Sequence, residues 1–236
     1  LFQLVLSSTG VVLFVLFLLI AFFVVTTFVI GYKGFQLTQA AKESEAFLDD
    51  FFQTKRLAEV YERAKDLRRS PVAAMFRAGY LELMRLTKQG AGGGEAAGEN
   101  GLENIERSLR RSTIAEMTML EGLTPLLATV GSSAPFIGLF GTVWGIYHAL
   151  LAIGTSGQST IDKVAGPIGE ALIMTALGLA VAIPAVLGYN ALVRGNKSIL
   201  GSLNSFAHDL HAYFVTGARV NAGGEQGKVL PMKKGS

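Results

Sequence analysis

The stretch LLATVGSSAPFIGLFGTVWGIYHAL, residues 126–150, lies inside a longer segment, 122–161, that contains no Asp, Glu, Lys or Arg. Residues 1–32 are also without formal charge, and Glu170 is the single charged residue of 164–193. A helix needs about 20 consecutive apolar residues to cross a bilayer. The three segments therefore predict three transmembrane helices and an all-α membrane protein.

The orientation of the spans follows from the distribution of Lys and Arg. The loop after the first span holds 14 of the 21 Lys and Arg residues, the C-terminal tail holds six, and the short second loop holds one. Because cytoplasmic segments are enriched in these residues, we expect the N-terminus outside the cytoplasm and the C-terminus inside it. The predicted segments are span 1 at 1–32, a cytoplasmic loop at 33–121, span 2 at 122–153, an outer loop at 154–163, span 3 at 164–193 and a cytoplasmic extension and tail at 194–236.

The first span could be confused with a signal peptide. It lacks a basic start and a small-residue cleavage site, so we expect a spanning helix instead.

The cytoplasmic loop is rich in helix-forming residues. Ser70 followed by Pro71 is typical of a helix start, and this helix is expected to reach about Lys88. Residues 90–101, GAGGGEAAGENG, predict a flexible linker. A further helix is expected to begin near Glu103 and to run on into the second span.

An apolar stripe after the third span predicts that this span continues as a helix and packs on a neighbour. The stripe consists of Ile199, Leu203, Phe206, Leu210 and Phe214.

The second and third spans each carry one threonine on a narrow face of small residues. In the second span, Gly138, Thr142 and Gly145 share a face, and Gly141 with Gly145 forms a G-x-x-x-G pattern, which allows close helix approach. The matching face of the third span consists of Ala171, Thr175, Gly178 and Ala182.

Both hydroxyls are expected roughly 15 Å below the outer ends of their spans, near the middle of the membrane. Small faces often serve only helix packing, and a transmembrane threonine often bonds its own backbone. The matched depth leaves a polar pathway lined by Thr142 and Thr175 as an equal alternative.

Glu170 stands about one turn into the third span, where a carboxylate is costly and commonly serves an ion pathway. It lies about 140° around the helix from Thr175, so we expect it at an entrance or a subunit contact. The alternative is a wetted carboxylate paired with Lys163. His148 could relay protons, but beside Trp144 it is more typical of a membrane interface and is left out of the site.

Several classes of function find no support in the sequence. The chain has no cysteine for disulfides or thiolate metal sites, no basic patch interleaved with aromatic residues, and none of the common enzyme motifs. We therefore expect no enzyme, no cofactor or metal, and no nucleic-acid partner. Because threonine cannot hold a charge, a proton route at this depth needs an acid from another polypeptide, entering a space lined by several copies of this chain.

The motif blocks at 126–150 and 164–190 resemble the ExbB/TolQ branch of the MotA/TolQ/ExbB proton-channel family. The resemblance extends over about residues 10–218 and includes Pro184 within AIPAV. It implies a pentameric inner-membrane motor of Gram-negative bacteria, with two copies of an ExbD- or TolR-like single-span partner in the central pore. Each partner would supply the missing acid, Thr142 and Thr175 would line the proton path, and Glu170 would be the acid of the third span.

The ExbB type, which the segment SSAPF favours, implies that protons are the transported ion and that force passes to TonB. TonB would energise outer-membrane uptake of ferric siderophores and vitamin B12. The TolQ type implies envelope maintenance through TolA. A non-conducting scaffold in contact with lipids and a partner helix is the alternative of another class, and the lack of an internal repeat argues against a secondary transporter.

Overall fold

The computed structural model describes residues 10–54, 56–90, 96–156 and 161–216, and regular structure in these ranges is entirely helical. The helices are α1 (Gly10–Gln53), α2 (Leu57–Ala64), α3 (Pro71–Gly90), α4 (Ala96–Glu121), α5 (Thr124–Ser156) and α6 (Ile161–Thr216). Three helical stretches, within Gly10–Gln53, Gly101–Gly154 and Ala165–Phe214, are long and apolar enough to cross a membrane. The prediction of an all-α protein is confirmed, and the three predicted spans correspond to three candidate membrane-spanning stretches.

The chain divides into two compact units. The membrane unit combines Leu1–Gly34 with Leu123–Val193, and the extramembrane unit combines Phe35–Gly122 with Arg194–Ser236. Each unit therefore combines two segments that are distant in the sequence.

The membrane unit has a small core to which α1, α5 and α6 all contribute. Its centre consists of Val15, Leu19, Val130, Ala134, Val181, Ala182 and Ala185. Large side chains such as Phe14, Phe136 and Leu187 are instead about two-thirds exposed or more. Apolar surface of this extent is unusual in water and is expected of helices that face lipid or other spans.

Four phenylalanines form the centre of the extramembrane core. Phe47 and Phe51 of α1, Phe76 of α3 and Phe206 of α6 are buried, with ring centroids 5.1–6.2 Å apart in the pairs that contact. Such tilted and edge-on aromatic pairs stabilise beyond the area they bury. The core also confirms the predicted stripe after the third span: four of its members are buried and Phe214 packs against the cluster.

The helix α3 begins at Pro71, as the Ser70–Pro71 pattern predicts. The Ser70 hydroxyl accepts a hydrogen bond from the backbone N–H of Ala73 at 3.0 Å, which satisfies one donor of the first turn. The same hydroxyl hydrogen-bonds Ser44 of α1 at 3.0 Å, so the cap also holds two helices together.

The prediction that the helix before the second span runs on into it is wrong. The helix α4 ends at Glu121, Leu123 adopts a positive φ of 67°, and α5 begins at Thr124. Pro125 favours the break, because its ring has no N–H to bond the carbonyl of Glu121 and would crowd it in a continuous helix. Proline alone does not end a helix here, since Pro135 and Pro184 lie inside α5 and α6.

The predicted linker at 90–101 is also shorter than expected. Gly90 belongs to α3, and α4 begins at Ala96 rather than near Glu103. Packing explains the added helical residues: a β-carbon at Gly101 would lie 3.5 Å from Leu86 of α3, so this end of α4 has a neighbour to pack on. Residues 91–95 lie outside the described ranges.

Candidate functional site

The site begins at a close crossing of α5 and α6. A β-carbon built on Gly138 would lie 2.6 Å from the carbonyl oxygen of Met174, and one built on Gly178 would lie 2.7 Å from that of Ala134. Real β-carbons essentially never come this close to another atom. The two backbones therefore touch directly, as small residues permit between membrane helices.

The crossing brings the two predicted threonines together. Thr142 of α5 is buried, with 7% of its surface exposed, and its Oγ1 contacts the Oγ1 of Thr175 of α6 within hydrogen-bond distance. Thr175 itself is half-buried. Matched depth, inferred from the sequence alone, thus corresponds to a direct contact between the two side chains.

Two backbone carbonyls complete the surroundings of Thr142. Its Oγ1 lies 3.1 Å from the oxygen of Gly138, in its own helix, and 3.0 Å from the oxygen of Ala171, in the facing helix. The hydroxyl therefore links α5 to α6 through both a side chain and the backbone.

The G-x-x-x-G glycines also lie at helix contacts. A β-carbon on Gly141 would lie 3.0 Å from Val15 of α1 and 3.2 Å from Met174, and one on Gly145 would lie 2.9 Å from the β-carbon of Ala171. Thr142 is thus flanked on both sides by positions at which another helix approaches closely.

Glu170 is half-buried in α6. Among the described side chains, no hydrogen bond or ion pair joins it to either threonine, and its pathway role stays a prediction. The alternative pairing with Lys163 falls outside the described side chains. Pro184 lies within α6 and is half-buried.

His148 belongs to an aromatic group on α5. Its ring centroid lies 5.1 Å from that of Trp144 and 5.4 Å from that of Tyr147. This placement agrees with the interfacial interpretation, since membrane interfaces are enriched in Trp and Tyr.

Sequence reasoning missed Thr26 of α1. Its side chain is fully buried, and its hydroxyl has no hydrogen-bond partner among the described residues. The neighbouring Thr27, by contrast, donates to the carbonyl of Phe23 at 2.9 Å. The sequence signal is two adjacent hydroxyls inside an uncharged span, where polar groups are costly.

The threonine pair can accept and donate hydrogen bonds, but it cannot hold a proton. Hydroxyls of threonine do not titrate in the physiological range, and among the described residues the hydrogen bonds of the pair are to each other and to backbone carbonyls. The arrangement is therefore suited to hydrogen-bonding a titratable group.

Comparison with known proteins gives one family match and several similar proteins. Residues 68–205 match the MotA/TolQ/ExbB proton channel family. The chain is 52% identical over 132 residues to the Biopolymer transport protein ExbB of Xanthomonas campestris pv. campestris, which covers 56% of this chain and 52% of that protein. It is 57% identical over 109 residues to the Biopolymer transport protein ExbB of Neisseria gonorrhoeae. This match covers 46% of this chain and 50% of that protein.

A third relative aligns along more of the chain. The Tol-Pal system protein TolQ of Pseudomonas aeruginosa is 36% identical over 212 residues, 89% of this chain and 90% of that protein. The matches to the ExbB proteins, by contrast, span about half of those relatives' length. The family match covers more than half of the chain and includes both threonines. The chain therefore belongs to the MotA/TolQ/ExbB proton channel family.

Proposed function

We propose that this protein is an ExbB-type subunit of a proton-driven motor in the bacterial inner membrane, and that Thr142 and Thr175 form the polar part of its proton path. The observation that carries the proposal is the contact between the two hydroxyls at the Gly138–Gly178 crossing. Polar groups inside spans are costly and commonly serve ion pathways, and the family is one of proton channels.

The complete channel needs further chains. The two threonines cannot bind a proton, so a single-span partner of the ExbD or TolR type would bring the acid into a pore formed by several copies of this chain, five in the proposed assembly. The exposed apolar residues of α1, α5 and α6 support an assembly in which part of this surface faces other copies and part faces lipid.

The ExbB assignment rests on the identity to the ExbB proteins of Xanthomonas campestris pv. campestris and Neisseria gonorrhoeae, 52% and 57% against 36% for TolQ of Pseudomonas aeruginosa. In this assignment, proton flow drives TonB and, through it, outer-membrane transport of siderophores or vitamin B12. The N-terminus faces the periplasm and the C-terminus the cytoplasm.

One observation favours TolQ as the second candidate. The TolQ match extends over 89% of the chain, whereas the first ExbB match extends over 56%. In that case the same proton path would serve envelope maintenance. Complementation separates the two: an ExbB-type protein restores growth on a ferric siderophore to a strain that lacks ExbB, and a TolQ-type protein restores detergent resistance to a strain that lacks TolQ.

The proton path itself is tested by isosteric substitution. The chain is reconstituted into liposomes with its single-span partner, and proton entry is followed with a pH-sensitive dye after a membrane potential is imposed. Thr175→Val removes a hydroxyl without changing side-chain volume greatly, and we expect proton flux to fall to background.

Thr129→Val is the matched control, because Thr129 of α5 is exposed and its hydroxyl donates to the carbonyl of Pro125 in its own helix. Native flux in Thr175→Val, with a normally assembled complex, would contradict the proposed path, whereas absence of flux in the native complex would favour the scaffold.

A further inference from the structure

The segment that follows α1 returns along this helix towards the first membrane span. Arg63 of α2 forms an ion pair with Asp50 of α1. Further along the chain, the backbone N–H of Arg69 donates to a carboxylate oxygen of Glu43 at 2.8 Å. The guanidinium group of Arg69 lies over the ring of Phe35, 5.8 Å from its centroid. The partners on α1 are thus successively closer to the span, and the Arg69 side chain extends in the same direction.

Phe35 lies at the depth expected of lipid headgroups. It follows Tyr32, the last residue of the predicted first span, in the unbroken helix α1, so the two residues lie about 5 Å apart along the helix axis. The headgroup region on each side of a bilayer is roughly 5–8 Å thick. The Phe35 side chain is 60% exposed. The Arg69 guanidinium is therefore placed beside an exposed aromatic ring just past the end of the span.

The turn at residues 65–69, KDLRR, leaves two positive charges unpaired among the described residues. Arg68 and Arg69 are both exposed, and no ion pair in this part of the chain includes either side chain. Lys65 is instead paired with Glu62 at 2.6 Å. Asp66 is the one acid of the turn, against three basic residues. The charge of the two arginines is thus available to an anionic ligand.

An arginine that stacks on an aromatic ring can still bind a phosphate. The guanidinium group is planar, so its face contacts the ring while its N–H groups point outward in the plane and match two phosphate oxygens. Basic residues next to a span also attract anionic lipids. An exposed ring beside two cations favours a ligand that carries both apolar chains and a phosphate, since a free anion would leave the ring uncovered.

We propose that Arg68, Arg69 and Phe35 form a binding site for an anionic phospholipid, in which the two guanidinium groups hold the headgroup phosphate and the Phe35 ring contacts the adjoining apolar part of the lipid. The site lies outside the threonine pair, so the inference goes beyond the proposed proton path and does not depend on it. With the orientation proposed above, the lipid belongs to the cytoplasmic leaflet.

The position of the turn can be measured because the sequence contains no cysteine. Asp66→Cys in the turn and Glu59→Cys in α2 are each labelled with bimane, in nanodiscs that contain the full chain and a lipid with a nitroxide on its headgroup. Both positions are exposed, but Glu59 precedes Arg63, which lies beside Asp50, far along α1 from the span. Because nitroxide quenching is short-ranged, we expect clearly stronger quenching at Asp66→Cys. Equal quenching at both positions would overturn the placement of the turn at the headgroups.

Lipid binding is measured by native mass spectrometry of the full chain in detergent, titrated with phosphatidylglycerol. Arg68→Gln combined with Arg69→Gln removes both charges and keeps the backbone hydrogen bond to Glu43. We expect the affinity for phosphatidylglycerol to fall about tenfold, since each basic residue at the headgroups adds to the attraction. Arg68→Gln alone, with an intermediate loss, provides the same test if the double variant unfolds at a lower temperature.

Arg110→Gln combined with Arg111→Gln is the matched control. These residues of α4 are also adjacent, exposed arginines, so the control loses the same net charge. At physiological ionic strength, charges more than about 8 Å from the ligand are largely screened, so we expect the affinity of the control to stay within about twofold of native. An equal loss in both double variants, or no loss in either, would overturn the assignment of the site to Arg68 and Arg69.

Two further ligands identify what the site binds. Phosphatidylcholine carries the same phosphate next to a positive choline group, and inorganic phosphate carries no acyl chains. We expect the native chain to bind phosphatidylcholine more weakly than phosphatidylglycerol, and inorganic phosphate in excess not to displace phosphatidylglycerol. Equal affinity for the two lipids would overturn selection by charge, and displacement by inorganic phosphate would assign the site to a free anion instead of a lipid.

Discussion

Gly138 and Gly178 are in backbone contact: a β-carbon on Gly138 would lie 3.0 Å from the Cα of Gly178, and one on Gly178 would lie 3.1 Å from the Cα of Gly138. The mutual contact fixes the separation of α5 and α6 one turn from the threonine pair.

Replacing Gly178 with Ala should therefore both destabilise the protein and separate the two hydroxyls. Overpacking of a tight contact costs about 1–3 kcal/mol, so we expect a lower midpoint of thermal unfolding in detergent together with reduced proton flux. Gly31→Ala is the control, since a β-carbon at Gly31 meets nothing within 4 Å. If Gly178→Ala matches this control in both measurements, the crossing does not set the helix separation.

Removing the Thr26 hydroxyl should stabilise the protein, in contrast to the loss of stability expected for Gly178→Ala. Its hydroxyl is fully buried and without a hydrogen-bond partner among the described residues, and an unsatisfied buried polar group costs about 1–3 kcal/mol. Thr26→Val keeps the shape and removes the hydroxyl, so the unfolding midpoint should rise. Thr27→Val, at an exposed hydroxyl that bonds its own helix, should change it little. A lower midpoint for Thr26→Val would instead reveal a hydrogen bond to water or to another chain.

Leu123 carries the strain of the break between α4 and α5. Its φ of 67° lies in the left-handed region, which costs a non-glycine residue about 1–2 kcal/mol. Leu123→Gly relieves this strain, and because the side chain is about half exposed, we expect stability to be unchanged or higher. Leu139→Gly is the matched control, because Leu139 is a similarly exposed leucine inside α5. Glycine inside a helix should lower its free energy of unfolding by about 1 kcal/mol. Equal losses at both positions would show that the break is not strained.

Glu116 of α4 gives the extramembrane unit a pH dependence. Burial raises the pKa of this carboxyl above its ordinary value of 4.5, and the charge of Arg77 opposes the shift. An acid whose pKa is higher in the folded state stabilises it fully below the unfolded pKa, and this stability is lost as pH rises through the folded pKa.

Glu116→Gln should therefore raise the unfolding midpoint at pH 7 relative to the native chain and have less effect at pH 4. Circular dichroism during heating at both pH values checks this, with the exposed Glu106→Gln as the matched control. A midpoint lowered at pH 7 would mean that the attraction to Arg77 outweighs burial.

The three spans and the threonine pair could be predicted from sequence because their signals are local. Uncharged runs give the spans, and the spacing of Thr142 and Thr175 from the ends of their helices gives their common depth. The sequence does not identify the break at Leu123, because proline alone does not mark one: Pro125 lies beside the break, whereas Pro135 and Pro184 lie inside α5 and α6.

Other features depend on contacts between distant parts of the chain. The hydrogen bond from Thr142 to the carbonyl of Ala171 depends on how two helices cross, and the register of that crossing is set by Gly138 against Gly178. Likewise, the sequence does not show that the Thr26 hydroxyl lacks a hydrogen-bond partner, because this depends on which residues of other helices surround it. Periodicity identifies a small-residue face, but it does not identify which residue of the facing helix will meet it.

The phenylalanine cluster has a consequence for synthesis. Phe47 and Phe51 leave the ribosome early, whereas Phe206, which closes the cluster with ring centroids 5.7 and 5.1 Å from theirs, follows the third span. The extramembrane core therefore cannot be completed until all three spans have been translated. Until then Phe47 and Phe51 lack one of their aromatic neighbours, and incompletely packed apolar surface of this kind favours aggregation during folding.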